Sequence, residues 1–499
     1  MSVKPLLAKP LAQFIYKKTQ KEAKKALLHQ DLILQELLKN GSKTVYGKEH
    51  HLGEVKNYEE FKQAVPIQDY EGLSAYFDLV KKGQQNVLWP GQPIYFAKTS
   101  GTTSGIKYIP ITKASIGNHI NTARNALLCY IAESGNNQFT GGKMIFLSGS
   151  PTLSRTGGIP TGRLSGIVNH HIPYYLRKNQ LPDFETNCIE DWETKLDKIV
   201  DQTLHQDMRL ISGIPPWMQM YFDRLIERGD KRVKDLFPNL SVIVHGGVNF
   251  QPYKKNLFEA VGKEIDTVET FPASEGFFAF QNTRKEDGLL LNTHSGIFFE
   301  FVPIDEIFNE NPTRYSLHEV KKDVNYAVII NSNAGLWGYN LGDTVKFTSL
   351  EPYKIVVTGR TKHFISAFGE HVIADEVEKS LIKVADKRGA GIVEFTVAPF
   401  IKTEEGVRPY HEWFIEFDKE PDNIESFAAA VDEELQKRNI YYRDLLEGKI
   451  LQRLKIRSMR EDGFIHYMKS VGKLGGQNKV PRLSNNRIIA DRLIEFIKD

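Results

Sequence analysis

The sequence predicts an α/β protein, with a large N-terminal domain of packed sheets and helices and a small α+β domain behind it. Three observations lead there. Short apolar runs of strand character recur along most of the chain, among them Met144 to Leu147, Val242 to Val244 and Val328 to Ile330. Between the first two lies a helical stretch in which Ile189, Trp192, Leu196, Ile199 and Thr203 recur at spacings of three and four, and such alternation of the two periods marks an α/β architecture. Past residue 358 the order changes to helix, two strands and helix.

The elements follow in order. Over the first forty residues Ala23, Leu27, Leu32, Leu34, Leu37 and Leu38 lie among lysines and glutamines and stop before Asn40-Gly41, an amphipathic helical entry with a glycine stop. The strand-like run Ile355 to Val357 ends the large domain, which is taken as residues 1–358. The small domain, 359–499, should hold a helix from about Ala374 to Lys387, strands at Gly391 to Ala398 and Trp413 to Phe417, and a helix carrying Ile424, Phe427, Val431 and Leu435. The junction Gly359-Arg360-Thr361-Lys362 is short and charged, so a tight hinge near 359–363 is expected rather than a tether.

Composition excludes several classes. With 41% hydrophobic and 25% charged residues the chain can form a packed core, so wholesale disorder is excluded. A net charge of +3 over 499 residues gives no reason to expect a nucleic-acid partner. Cys129 and Cys188 are the sole cysteines, which implies neither a disulfide framework nor a cysteine metal site and suits a reducing compartment. No apolar run is long enough to cross a bilayer and no signal peptide is legible, so the expected place is the cytoplasm, without membrane insertion.

Residues 99–107, Thr-Ser-Gly-Thr-Thr-Ser-Gly-Ile-Lys, follow the apolar stretch Ile94 to Ala97. Glycines let backbone N–H groups turn toward one point, hydroxyls add donors, and Lys107 adds positive charge where phosphate oxygens would lie. Three residues separate Gly101 from Gly105 and Ile106 precedes Lys107, so this is not a Walker loop. Alone, the segment reads equally as a solvated turn.

Further pieces come in sequence. The strand Val242 to His245 runs into Gly246-Gly247, whose bare backbone allows close approach of something flat or crowded. Glu269-Thr-Phe-Pro-Ala-Ser-Glu275-Gly276 offers Phe271 to stack on a purine and Glu275 to hold a Mg²⁺ ion bridging phosphates. Tyr339-Asn-Leu-Gly-Asp343-Thr344 offers a carboxylate for both hydroxyls of a ribose, and Arg360 follows seventeen positions on. Each piece by itself has an ordinary structural reading; their common order does not.

In that order, and over nearly its whole length, the chain resembles the adenylate-forming superfamily of acyl-activating enzymes, and within it the auxin-responsive-promoter family of acyl acid amido synthetases in a bacterial-type version. The resemblance rests on Thr99 to Lys107, on Phe271 to Glu275 and on Tyr339 to Asp343, with further similarity in Gly213-Ile-Pro-Pro-Trp217, Gly246-Gly247 and Lys479-Val-Pro-Arg482. One departure stands out: the family's arginine after the tyrosine is Asn340 here.

The resemblance implies ATP and Mg²⁺ as cofactors and a two-step reaction. A carboxylic acid would attack the α-phosphate of ATP to give an acyl-adenylate, and an amine, that of an amino acid, would take the acyl group. Thr99, Ser100, Gly101, Thr102, Thr103 and Lys107 would grip the phosphates. Phe271 and Gly246-Gly247 would frame the adenine, with Ser274 in the same motif; Glu275 would hold the metal; Asp343 and Arg360 would hold the ribose. The small domain would be mobile, pivoting near Lys362, and Lys479 would be delivered to the reacting groups. Trp217, Met218 and Met220, after Pro215-Pro216, are candidates for the acyl pocket or for plain core. Of His170-His171, adjacent on a strand, at most one should face a site. An acyl-CoA ligase is the nearer rival reading, and a nucleotide-binding regulator without a product the more distant one. No obligate protein partner is implied.

Overall fold

The structure is a computed structural model that describes residues 4–100, 106–172, 177–247, 250–361, 364–365, 372–400, 408–447, 451–474, 479–484 and 486–498. The α/β reading holds. A twelve-stranded sheet begins with five parallel strands, ordered Gln180–Leu181, Lys143–Phe146, Met208–Gly213, Val242–Gly246 and Asp266–Ala273. The order continues through Gly276–Phe280, Leu289–Leu291, Tyr353–Arg360, Leu336–Leu350, Asn325–Ser332, Ile297–Pro303 and Tyr315–Ser316. The parallel strands carry near-continuous apolar runs because they are covered on both faces. Helices such as Trp192–Thr203 and Pro215–Gly229 connect them. A four-stranded sheet holds the Tyr95–Ser100 and Ile106–Ile111 strands.

The described chain divides into two compact units. The first comprises residues 1–250, 256–341 and 345–356; the second comprises 251–255, 342–344 and 357–499. Within the second, helix Ala374–Arg388, strands Gly391–Phe400 and Tyr410–Lys419 and helix Ile424–Arg438 enclose a core of Val377, Leu381, Phe395, Trp413, Phe427 and Leu435. These are the elements that the periodicity predicts.

Two local expectations change. The N-terminal helical entry is two helices, Lys4–Ala23 and Ala26–Gly41, broken at Lys24-Lys25. Gly41 is the last residue of the second, and a Cβ there would stand 2.5 Å from the Trp337 ring. His170 and His171 end the helix Leu164–His170 instead of lying on a strand. His170 Nε2 pairs with the Pro151 carbonyl at 2.8 Å, and His171 Nε2 lies 3.2 Å from the Tyr95 hydroxyl.

The first unit buries one complete ionic knot. Glu300, with no exposed surface, accepts two bonds from Arg314, at 2.9 and 2.7 Å, and one each from Tyr58 at 2.9 Å and Asn331 at 2.8 Å. Arg314 also donates to the carbonyls of Lys62 and Val65, which ties the short N-terminal helix Tyr58–Ala64 to the sheet. A buried pair is costly to break because the surviving charge is stranded. Arg314→Met should therefore lower stability by about 3–5 kcal/mol, read as a fall in the urea midpoint. The double change Glu300→Leu with Arg314→Met should recover part of the loss.

Candidate functional site

In the first unit the Tyr95–Ser100 and Ile106–Ile111 strands are antiparallel neighbours, with Thr99 opposite Lys107 and Ser100 opposite Ile106. This register brings the two ends of the hydroxyl-rich segment together. Gly101, Thr102 and Thr103 lie outside the described residues. Lys107 Nζ lies 5.6 Å from the centre of the Tyr70 ring, and the Tyr70 hydroxyl accepts the Tyr108 N–H at 3.0 Å, so the base of the segment is fixed by an aromatic from a distant part of the chain.

The parallel strands deliver the next residues at their C-terminal ends, where open α/β sheets bind ligands. Gly246 ends one strand, opposite Thr270 of the next. A Cβ on Gly246 would stand 2.4 Å from the Thr270 carbonyl oxygen, so this strand end requires glycine. Gly247 follows at φ +81°. The preceding His245 is 3% exposed and stacks on Phe250 with ring centres 4.1 Å apart. Burial pushes its imidazole down to about 3, so it stays neutral.

Ala273 pairs with Gly276, making Ser274 and Glu275 the tip of a tight hairpin. Asn118 pins the returning strand, accepting from the Phe277 N–H at 2.6 Å. Phe271 belongs to the main core, meeting Phe278 edge-on at 5.2 Å and retaining 8% exposure. Glu275 Oε1 accepts the Tyr339 hydroxyl at 3.2 Å. Tyr339 is set by Gln68, whose N–H donates to the Gly338 carbonyl at 2.9 Å and whose carbonyl accepts the Asn340 N–H at 2.8 Å. Gly338, at φ +55°, admits no side chain here, since a Cβ would fall 2.1 Å from the Pro66 carbonyl.

In the second unit Asp343 follows Gly342, which sits at φ +83°. Asp343 pairs with Arg360 at 3.0 Å. Burial pushes the Asp343 carboxyl up, opposed by the charges of Arg360 and Lys479, so Lys479 joins the same electrostatic cluster from 136 positions along the chain. Part of the Lys479 side chain is open to water. The surrounding protein and the like charge of Arg360 still pull its ammonium down to about 8, against the pull of Asp343.

Arg482 has no assigned role in the sequence reading, yet it holds the lysine's segment. It donates to Glu378 at 3.1 Å, to Glu394, and to the Tyr253 hydroxyl at 2.7 Å. The backbone on either side is stitched to the Gly391–Phe400 strand by Val397 N–H to Arg482 O and Ser484 N–H to Val397 O, both 2.9 Å. Its sequence signal was its place in the Lys479-Val-Pro-Arg482 segment.

Other expected positions resolve differently. Lys362, the expected pivot, lies outside the described residues. Trp217 and Met218 are 5% and 0% exposed, with Trp217 against Trp192 at 4.8 Å, so both are core; Met220 is half-buried. A cavity of about 370 Å³ between the Lys4–Ala23 and Ile116–Ser134 helices, lined by Lys18, Asn121, Arg124, Asn292 and His294, contains none of the expected site residues. Among the described residues no group of three or more His, Cys, Asp or Glu could hold a metal. One partly exposed carboxylate such as Glu275 still fits Mg²⁺, which is commonly held by one or two carboxylates together with substrate phosphates.

Comparison with known proteins gives three matching segments: the GH3 family N-terminal domain over residues 15–186, its central domain over 290–360 and its C-terminal domain over 375–488. A jasmonoyl–L-amino acid synthetase of Nicotiana attenuata is 21% identical over 388 residues, 64% of this chain and 66% of that protein. An indole-3-acetic acid-amido synthetase of Arabidopsis thaliana is 28% identical over 199 residues, 37% of this chain and 33% of that protein. Among solved structures, the GH3.15 acyl acid amido synthetase superposes with a TM-score of 0.78 at 16% identity, covering 96% of this chain and 95% of that one. A 2-hydroxyisobutyryl-CoA ligase gives 0.59 at 12% identity, covering 93% and 91%.

Arg482→Gln should leave Glu378 and Glu394 undercompensated in a buried setting and free the segment around Lys479. Amide hydrogen exchange over 479–484 is expected to speed up by at least about tenfold, while the Glu300 region of the first unit keeps its protection.

Proposed function

The chain belongs to the GH3 family, and from that premise we propose that it is an AMP-forming ligase that activates a carboxylic acid as its adenylate and transfers the acyl group to the amine of an amino acid. The observation that carries this reading is the Asp343, Arg360 and Lys479 cluster. A carboxylate suited to two ribose hydroxyls pairs with Arg360, and the candidate catalytic lysine, far along the sequence but in the same unit, acts electrostatically on both. The relatives named above conjugate jasmonic and indoleacetic acids, which supports a small organic acid as donor and an amino acid as acceptor.

A carboxylate is a poor acyl donor because its oxygen is a bad leaving group. In the proposed first step an oxygen of the acid attacks the α-phosphorus of ATP and the bond to pyrophosphate breaks. In the second the amine attacks the acyl carbon, the bond to AMP breaks, and the amine's proton leaves. The protein's part is positioning and charge stabilisation. Thr99, Ser100, Gly101, Thr102, Thr103 and Lys107 hold the phosphates, Gly246, Gly247 and Phe271 border the base, and Asp343 with Arg360 holds the sugar. Ser274 and Glu275 form the hairpin tip, with Glu275 oriented by Tyr339 to hold Mg²⁺, which when bound would offset phosphate charge. Lys479 supplies a positive charge to the reacting carboxylate and phosphate. The division at 358/359, a pivot at 359–363 and a cytoplasmic setting for the two free thiols belong to the same proposal.

The test is ATP–pyrophosphate exchange across a panel of organic acids, followed by product analysis with amino acids, hydroxylamine and coenzyme A. Acid-dependent exchange with amide products supports the reading; thioester products would move it to an acyl-CoA ligase, and no exchange with any acid would leave a nucleotide-binding regulator. Asp343→Ala is expected to raise the KM for ATP about 10- to 100-fold, the worth of hydrogen bonds to a charged group.

The pH dependence has a definite sign. Lys479 carries its proton below about 8 and loses it above, so exchange should fall as pH rises through that value. Lys479→Arg, whose guanidinium stays charged, should remove the alkaline fall even where it lowers the maximal rate.

A further inference from the structure

Resting on that reading, we propose that Arg163, backed by Lys195, binds the α-carboxylate of the amino-acid acceptor. Neither residue belongs to a motif of the sequence reading. Arg163 directly follows the strand Ile159–Gly162, which lies parallel to Tyr95–Ser100 with Gly162 opposite Ala97. It therefore comes level with Lys98, one residue before the Thr99–Lys107 segment, one strand spacing of about 4.8 Å to the side.

The arginine is held in place by its neighbours. It precedes the helix Leu164–His170, whose first turn is clamped to the loop after Lys143–Phe146. The Gly149 N–H donates to Ser165 Oγ at 3.2 Å, and a Cβ on Gly166 would stand 2.4 Å from the Ser150 carbonyl. The bare α-carbon of Gly149 receives the arginine stem, since a Cβ there would meet Arg163 Cδ at 2.5 Å.

Lys195 lies in the same place, 2% exposed. Its ammonium donates to two neutral acceptors, the carbonyls of Ser148 at 2.9 Å and Asn187 at 2.8 Å. Among the described residues neither cation has a carboxylate within ion-pair distance, and the Arg163 guanidinium donates no hydrogen bond. Glu190, with an exposed side chain, is the carboxylate whose field reaches Arg163. Burial and the charge of Arg163 hold Lys195 down to about 8, against an opposing pull from Cys188. An arriving anion would complete the arrangement, and the planar guanidinium fork suits a carboxylate.

Chemistry selects which anion. The donor acid's carboxylate loses its charge on becoming the mixed anhydride, and pyrophosphate departs, so a fork bound to either would lose its partner during turnover. The acceptor's α-carboxylate stays charged from binding to product.

The test uses Arg163→Gln in the full chain, with the acid and the amino acid that the exchange and product screens identify. The KM for the amino acid should rise about 10- to 100-fold, while the exchange KM values for ATP and acid stay within about twofold. The amide of the same amino acid, which lacks the carboxylate, should serve both forms equally, and Arg163→Lys should restore part of the loss. A rise in the KM for acid or ATP instead, an equal loss with the amide, or no change at all would overturn the assignment. The unaltered protein gives a second reading independent of folding: it should favour the amino acid over its amide by a similar factor, and indifference would also overturn it. Absence of acid-dependent exchange in the unaltered protein removes the proposed function and this site together, whereas normal exchange and transfer without any carboxylate preference removes the site alone.

Discussion

Much of the site depends on one steric constraint, the close passage of backbone against backbone where strands turn toward their ends. Gly338 runs so near the Pro66 carbonyl that no side chain fits, and its positive φ turns Tyr339 toward Glu275. Gly246 is equally confined by Thr270. These positions serve the chemistry by what they lack. A residue with a β-carbon would push these backbones apart and carry the neighbouring hydroxyl and carboxylate out of place, with no change to any polar group.

Electrostatics divides these charges into two kinds. Glu300 with Arg314, and Arg482 with Glu378 and Glu394, are saturated by opposite charge and by hydrogen bonds, and they fix elements to one another. Asp343, Lys479, Arg163 and Lys195 are different, since each sits where burial or a like charge works against its ionised form. The first kind is structure that has reached its final state; the second suits groups that meet charged ligands.

Much of this was legible in the sequence, for physical reasons. Buried parallel strands such as Val242–Gly246 announce themselves as apolar runs ending in glycine, and the Ala374–Arg388 and Ile424–Arg438 helices keep a clean period. The break at Lys24-Lys25 was not legible, because neither glycine nor proline marks it. The helix ending in His170 was missed because it is barely two turns long. Tyr339 and Arg482 were visible as letters of motifs but not as actors, since their partners, Glu275 and Tyr253, come from remote parts of the chain. Arg163 carried no signal, because what marks it is that, among the described residues, no carboxylate lies within ion-pair distance.

The second compact unit is not a continuous piece of chain. Gln251–Lys255 belongs to it although the residues on both sides belong to the first, and so does Gly342–Thr344. Tyr253 in the earlier insert takes a bond from Arg482 and gives one to Glu394 at 2.8 Å. A fragment cut from residue 357 onward would thus be born without one of the supports beneath its own lysine segment and without Asp343. The unit is discontinuous in the gene as well as in the chain, so a simple fusion or swap of C-terminal halves between relatives would exchange the lysine while leaving behind the tyrosine and the carboxylate that accompany it.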